Sequence, residues 1–264
     1  MNTPTIKPIH KIAAAISFIV MVTVNALANI LPINQISTGA VSDSYPNLFA
    51  PAGITFAIWG IIYILLGIFS FSLFQIPQIT SNSKYIRIAN LFTLTSIINS
   101  LWIFAWHYNH ILISMILMLM LLITLISLRL SLQELHLTKT PKYVYQLPIS
   151  VYFGWITVAT IANMTTLLVS LNFTGFGFSE VLWTVTIIGV GAIIGIITAR
   201  RLKDNAYLLV FIWAYAGIYI KHTSPLNFNS AYPTVIYSVV ICLALFVIAL
   251  FFNLKTIYGP KKQY

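Results

Sequence analysis

The sequence predicts an all-α fold, a polytopic transmembrane bundle of about eight helices, and three observations carry that expectation. Apolar residues make up 59% of the 264 positions and charged residues 7%, with a mean hydropathy of +0.92, which is more apolar surface than a soluble domain of this size buries. The apolar residues are gathered into runs of the roughly 20 residues needed to cross about 30 Å of hydrocarbon. Every basic residue but one falls to the terminal segments or to alternate connections between those runs.

Eight spans follow in order, at 12–32, 53–75, 87–106, 111–130, 147–170, 180–199, 205–220 and 232–253, the seventh being the shortest. The first follows Lys7 and Lys11 and contains Ala26-Leu27-Ala28, a pattern shared with secretory cleavage sites. Its apolar run is long for a signal peptide's core of about 7 to 15 residues, so it is read as a retained span. Lys84 and Arg87 separate spans two and three, Arg129, Lys139 and Lys142 separate four and five, and Arg200, Arg201 and Lys203 separate six and seven. Lys255, Lys261 and Lys262 follow span eight, which leaves only Lys221 of the 14 basic residues on the opposite side. An even number of helices with both termini cytoplasmic produces that asymmetry, and the expected setting is a bacterial plasma membrane. The net charge of +10 is then explained by basic loops beside anionic lipid, with no nucleic-acid partner.

Absences narrow the function. The four acids, Asp43, Glu134, Glu180 and Asp204, fall in loops or at span ends, so no buried carboxylate relay of the proton-pump kind is expected. No G-x-S-x-G, H-E-x-x-H or phosphate-cradling glycine loop is present, which removes hydrolase and ATPase readings. Cys242 is the single cysteine, so there is no internal disulfide and no C-x-x-C-H haem attachment. His107 and His110 read as a solvated outer turn, because two histidines without a nearby acid or cysteine make a poor metal site. No metal and no catalytic residue is expected. Gly191 and Gly195 form a GxxxG that reads as a packing face.

The polar residues inside the spans share a depth. At about 1.5 Å per residue, Asn25, Trp59, Asn99, Trp102 and Asn163 lie roughly 8 to 12 Å below the outer surface. At about 100° per residue, Trp59 and Tyr63 share a stripe of span two, Asn99 and Trp102 one of span three, and Trp155, Ala159 and Asn163 one of span five. Two readings meet here. Asn and Thr side chains bond across helix contacts in bundles that carry no ligand; alternatively, aromatic faces and amides converging at one level form a cavity for a flat apolar molecule with a few polar edges. The candidate ligand-binding set is Asn25, Trp59, Tyr63, Asn99, Trp102, Trp155, Ala159 and Asn163. Trp106 and Trp183 read instead as interface anchors.

Three segments, PAGITFAIWGIIYILLGI at 51–68, NSLWIFAWH at 99–107 and YFGWITVATIAN at 152–163, resemble signature stretches of the tryptophan-rich sensory protein or translocator protein family, TspO/MBR. The resemblance covers about residues 12–172 and rests most on Trp155, Thr157, Ala159, Thr160 and Asn163. It implies a five-helix bundle whose pocket is capped by the loop between the first two helices, here 33–52. It also implies a hydrophobic partner: a tetrapyrrole such as a porphyrin and, in some members, a sterol or synthetic aromatic ligand. A bound porphyrin or haem would then be a ligand and not a required cofactor, and a homodimer is compatible with such a bundle. The loop 33–53 has no tryptophan, and Ile54 stands where many members place one, which disfavours porphyrin chemistry that depends on those indoles. The stretch after span five also lacks the L/V-x-Y-x-K/R pattern proposed for cholesterol contact. Residues 173–264 lie outside the resemblance and form a second part with three more spans and a basic tail. The expected function is binding of a flat hydrophobic ligand for sensing or trafficking. The rivals are a transporter using all eight helices and a porphyrin-modifying enzyme.

Overall fold

The computed structural model describes residues 8–31, 33–75, 82–135 and 142–258; Lys7, Lys139, Lys261 and Lys262 of the charge pattern lie outside them. Among the described residues there are helices and no strands: α1 (Pro8–Ile30), α2 (Thr38–Asp43), α3 (Ile58–Gln75), α4 (Asn82–His107), α5 (Ile111–Gln133), α6 (Lys142–Ser170), α7 (Glu180–Leu202), α8 (Asn205–Thr223) and α9 (Pro233–Tyr258), with short 3-10 turns at Ile33–Gln35, Gly53–Ala57 and Gly175–Gly177. Each expected span coincides with one of the long helices. Seven helical stretches are long and apolar enough to cross a membrane, and the chain is an integral membrane protein. α8 is not among the seven, because Asn205, Lys221 and His222 sit at the ends of a helix only 19 residues long. Side chains such as Ile64, Ile123 and Phe251 are more than half exposed, as a surface facing lipid requires and one facing water would not favour.

The chain forms two compact units. The first comprises 1–44 and 58–156, the second 45–57 and 157–264.

In the first unit α1 packs on α3 and α4, and α4 on α5. Its core is closed by Met21, Ile62, Leu66, Phe69 and Phe92, all at 0% exposure, with the Phe69 ring edge-on to Phe92 at 4.9 Å. Lys84 at the start of α4 pairs with Glu134 just past α5 at 3.3 Å, both side chains about half exposed, a geometry that contributes at most about 1 kcal/mol. Arg129 corrects the loop placement expected for it. Although counted with the connection between spans four and five, Arg129 lies within α5, which runs to Gln133, at 2% exposure, and its Nε donates to Ser150 Oγ of α6 at 3.2 Å.

In the second unit α7, α8 and α9 pack on one another. Only Lys203 and Asp204 separate α7 from α8, so the two run as antiparallel neighbours. Lys203 takes the left-handed conformation at φ 50° that ends α7, and the Asp204 carboxylate caps α8 by accepting from Tyr207 N. The small residues of the GxxxG serve close packing, as read: a Cβ on Gly191 would sit 2.6 Å from the Tyr215 hydroxyl, and one on Gly195 2.7 Å from the Phe211 ring.

Residues 45–57 are bound along α8 by three hydrogen bonds. His222 Nε2 donates to Leu48 O at 2.8 Å, Ala52 N to Gly217 O at 3.0 Å, and Trp213 Nε1 to Thr55 O at 2.9 Å. Asn47 shapes the segment from within, its Oδ1 accepting from Phe49 N and Ala50 N, a local side-chain turn of the kind asparagine favours.

Candidate functional site

A buried polar chain joins three helices of the first unit. Asn25 of α1 donates from Nδ2 to Met21 O at 2.9 Å and to Asn99 Oδ1 of α4 at 2.7 Å. Asn99 in turn donates from Nδ2 to the Tyr152 hydroxyl of α6 at 3.0 Å. The three residues are 3%, 0% and 0% exposed. Buried amides of this sort are tolerated only when their donors and acceptors are met, and a low dielectric then strengthens each bond. Both Nδ2 protons of Asn25 are engaged by protein, and both ends of the Asn99 amide are bonded within the protein.

Aromatic rings gather around Trp59, near the start of α3. Tyr63, one turn on, stacks with it at 5.4 Å and 21°. Tyr152 and Trp155 of α6 meet it edge-on at 6.1 Å and 6.2 Å, with interplanar angles of 60° and 81°. These are the offset and edge-to-face arrangements that ring quadrupoles favour, each contributing about 0.5–1.5 kcal/mol beyond buried area. Trp155 is buried at 3% exposure, whereas Trp59 and Tyr63 are only partly covered. A molecule reaching this cluster therefore meets the Trp59 and Tyr63 rings first.

One turn further along α4, Trp102 stacks on Trp106 at 5.5 Å and 22°. Trp106 is no surface anchor: it is 5% exposed, and its Nε1 donates to Thr38 O at 3.1 Å. The solvated turn expected at His107 is also corrected, since His107 is fully buried. Its Nδ1 donates to Ile33 O at 3.0 Å, and its Nε2 is hydrogen-bonded to Thr38 Oγ1 at 2.9 Å. Asn34 Nδ2 adds a bond to His107 O at 2.9 Å. Each ring nitrogen of His107 thus has a protein partner. Among the described residues no group of three or more metal-ligating side chains forms.

Asn25, Trp59, Tyr63, Asn99, Trp102 and Trp155 of the candidate set thus fall in the first unit. Asn25 bonds directly to Asn99, and Asn99 to Tyr152; the indole of Trp59 sits among three rings, and Trp102 belongs to the stack beside Thr38. Ala159, partly covered, and Asn163, 2% exposed, lie farther along α6 in the stretch that belongs to the second unit. In that stretch Thr157 Oγ1 accepts from the Tyr207 hydroxyl at 3.2 Å. Sequence reasoning missed Tyr152 and His107. Tyr152 carried a signal, being three residues before Trp155 and seven before Ala159 and so on the same helix face; His107 carried none, since its two partners lie about 70 residues away.

The sequence model of a family described as TSPO-like protein matches residues 11–252, which reaches into α9 and beyond the stretch that three segments alone suggested. Searches of curated proteins and of solved structures returned no match. With a family match spanning nearly all of the chain and apolar helices to suit it, this protein belongs to the TSPO-like family.

Proposed function

We propose that the chain binds a flat hydrophobic molecule, tetrapyrrole-like in shape, on the ring surface of Trp59 and Tyr63, and that this binding serves sensing or trafficking and not chemistry. The observation that carries the reading is the gathering of Tyr63, Tyr152 and Trp155 around a partly covered Trp59. Such a surface suits stacking against a large π-system. The Asn25–Asn99–Tyr152 chain ties α1, α4 and α6 together beside it.

Titration of the purified protein with protoporphyrin IX tests the reading. Saturable quenching of tryptophan fluorescence is expected, with affinity lowered about tenfold in Trp59→Leu, the equivalent of a stacking contribution near 1.4 kcal/mol. Equal affinity in wild type and Trp59→Leu would remove the ring surface from the site. For orientation, the reading is that both termini are cytoplasmic, which requires α8 to cross along with the seven apolar stretches. A reporter active only in the cytoplasm should work at either terminus; silence at one end would take α8 out of the spans.

A further inference from the structure

The second unit holds a cavity of about 230 Å³. Its lining combines Leu48 and Phe49, Leu168 and Val169 of α6, and Phe173, Phe178 and Trp183 around the turn into α7. The inner wall is closed, Leu48 and Phe49 being 2% and 1% exposed, whereas Phe178 at the rim is 60% exposed. The volume is below the roughly 300–1,000 Å³ of drug-sized sites, so it suits a single ring with a short chain.

The polar groups of this wall are unevenly engaged. Trp183 Nε1 donates to Gly175 O at 2.7 Å, Thr165 Oγ1 to Ala162 O at 2.7 Å, and Asn47 Nδ2 to Tyr45 O at 3.0 Å. The indole approaches Gly175 so closely that a Cβ there would lie 2.7 Å from its ring, and Gly175 takes φ +69°, so the turn is shaped around Trp183. These donors are therefore occupied. Thr174 and Thr184 add neutral hydroxyls, and Glu180 is the only charged residue of the lining, exposed and with no hydrogen bond or ion pair among the described residues. It stands apart from Glu134, which pairs with Lys84, and Asp204, which caps α8. As the first residue of α7 it also faces that helix's N-terminal dipole, but the dipole amounts to about half a charge, and Ser179 already accepts from Leu182 N at 3.2 Å. The mouth keeps a net negative charge beside three aromatic faces. Ring faces and a carboxylate attract a cation together, and the carboxylate repels an anion.

We infer that this cavity is a binding site for a small aromatic ammonium ion, its ring between Phe173, Phe178 and Trp183 and its ammonium at Glu180. The site is independent of the Trp59 surface and of the function proposed for it.

Calorimetric titration of the full chain in phosphatidylcholine nanodiscs, with empty discs subtracted, tests this with three probes of one shape: phenethylammonium, 2-phenylethanol and 3-phenylpropionate. Saturable one-to-one binding of phenethylammonium is expected, about tenfold tighter than the alcohol, with the carboxylate weakest. Glu180→Gln, an exposed substitution at a helix start, should bring cation and alcohol within about twofold. Phe178→Leu at the rim should weaken the cation several-fold and leave the melting temperature unchanged. The proposal is overturned by equal binding of cation and alcohol to wild type, which would mark an apolar slot such as a lipid chain fills. It is also overturned by a preference that survives Glu180→Gln, or by no saturable heat from any probe.

Discussion

Asn25 Nδ2 lies 2.7 Å from Asn99 Oδ1, joining α1 to α4 across 74 residues of sequence. Because Asn99 also donates to Tyr152, one side chain ties three helices, and its removal takes a partner from the Tyr152 hydroxyl and from one Nδ2 proton of Asn25, the other still donating to Met21 O. Bonds between membrane helices average about 0.6 kcal/mol and reach about 1.7, and orphaned buried groups add to the loss. Asn99→Leu should therefore lower the stability of the ligand-free protein by about 1–3 kcal/mol, seen as an earlier thermal transition in detergent. Porphyrin affinity of the molecules that remain folded should change little. An unaltered melting temperature with lost porphyrin binding would make Asn99 a ligand contact instead.

Gly217 is the second testable position. A Cβ added there would overlap Thr55 Oγ1 and lie 2.9 Å from Thr55 Cβ, where Ala52 N and Trp213 Nε1 hold residues 52–55 against α8. Gly217→Ala should destabilise the protein by about 1–3 kcal/mol, as overpacking does. The Thr55 hydroxyl is buried and has no hydrogen-bond partner among the described residues, so Thr55→Ala alone should be near neutral. Combined with Gly217→Ala it should restore part of the loss, a coupling that a double-mutant cycle of melting temperatures reads directly. Strict additivity would show that the segment does not touch Gly217.

His222 makes the attachment of 45–57 sensitive to acid. The ring is fully buried, its Nε2 donates to Leu48 O, and Nδ1 has no partner among the described residues. Burial lowers its pKa below the usual histidine value, the Leu48 bond opposes that shift, and neighbouring Lys221 reinforces it. For a depressed histidine the unfolded chain binds the proton more readily than the folded one. Stability is thus complete above about pH 6.5 and falls as pH drops below it toward the folded pKa. Hydrogen exchange of residues 45–57 should accelerate between pH 7.5 and 5 beyond the intrinsic rate, and His222→Ala should exchange fast at both. Protection unchanged by pH in wild type would refute this.

The sequence disclosed the long helices because spans of apolar residues bounded by basic loops leave few alternatives in a bilayer. It disclosed the shared level of Asn25 and Asn99 for the same reason, since depth follows from counting residues along a helix. What it could not disclose is partnership. An amide aimed at a ligand and an amide aimed at another amide have the same spacing and depth, and only the folded chain shows Asn99 between Asn25 and Tyr152. His107 looked like half of a solvated pair because its partners Ile33 and Thr38 come from a remote turn. The seat of residues 45–57 on α8 was equally hidden, as most of its bonds use backbone atoms, which carry no residue signature.

That seat has a consequence for the order in which the chain is made. Leu48 and His222 are 174 residues apart, and Thr55 and Trp213 158. At synthesis rates of about 5–20 residues per second, the 45–57 segment would wait roughly 10 to 30 seconds for the helix that holds it. During that interval α1 and α3 to α5 leave the ribosome with their own partners already present, whereas the second unit lacks most of its contacts. A nascent chain arrested before residue 205 would expose the 45–57 segment to proteases while α1 and α4 are already joined through Asn25 and Asn99. Maturation of this protein is in that sense timed from its C-terminal end.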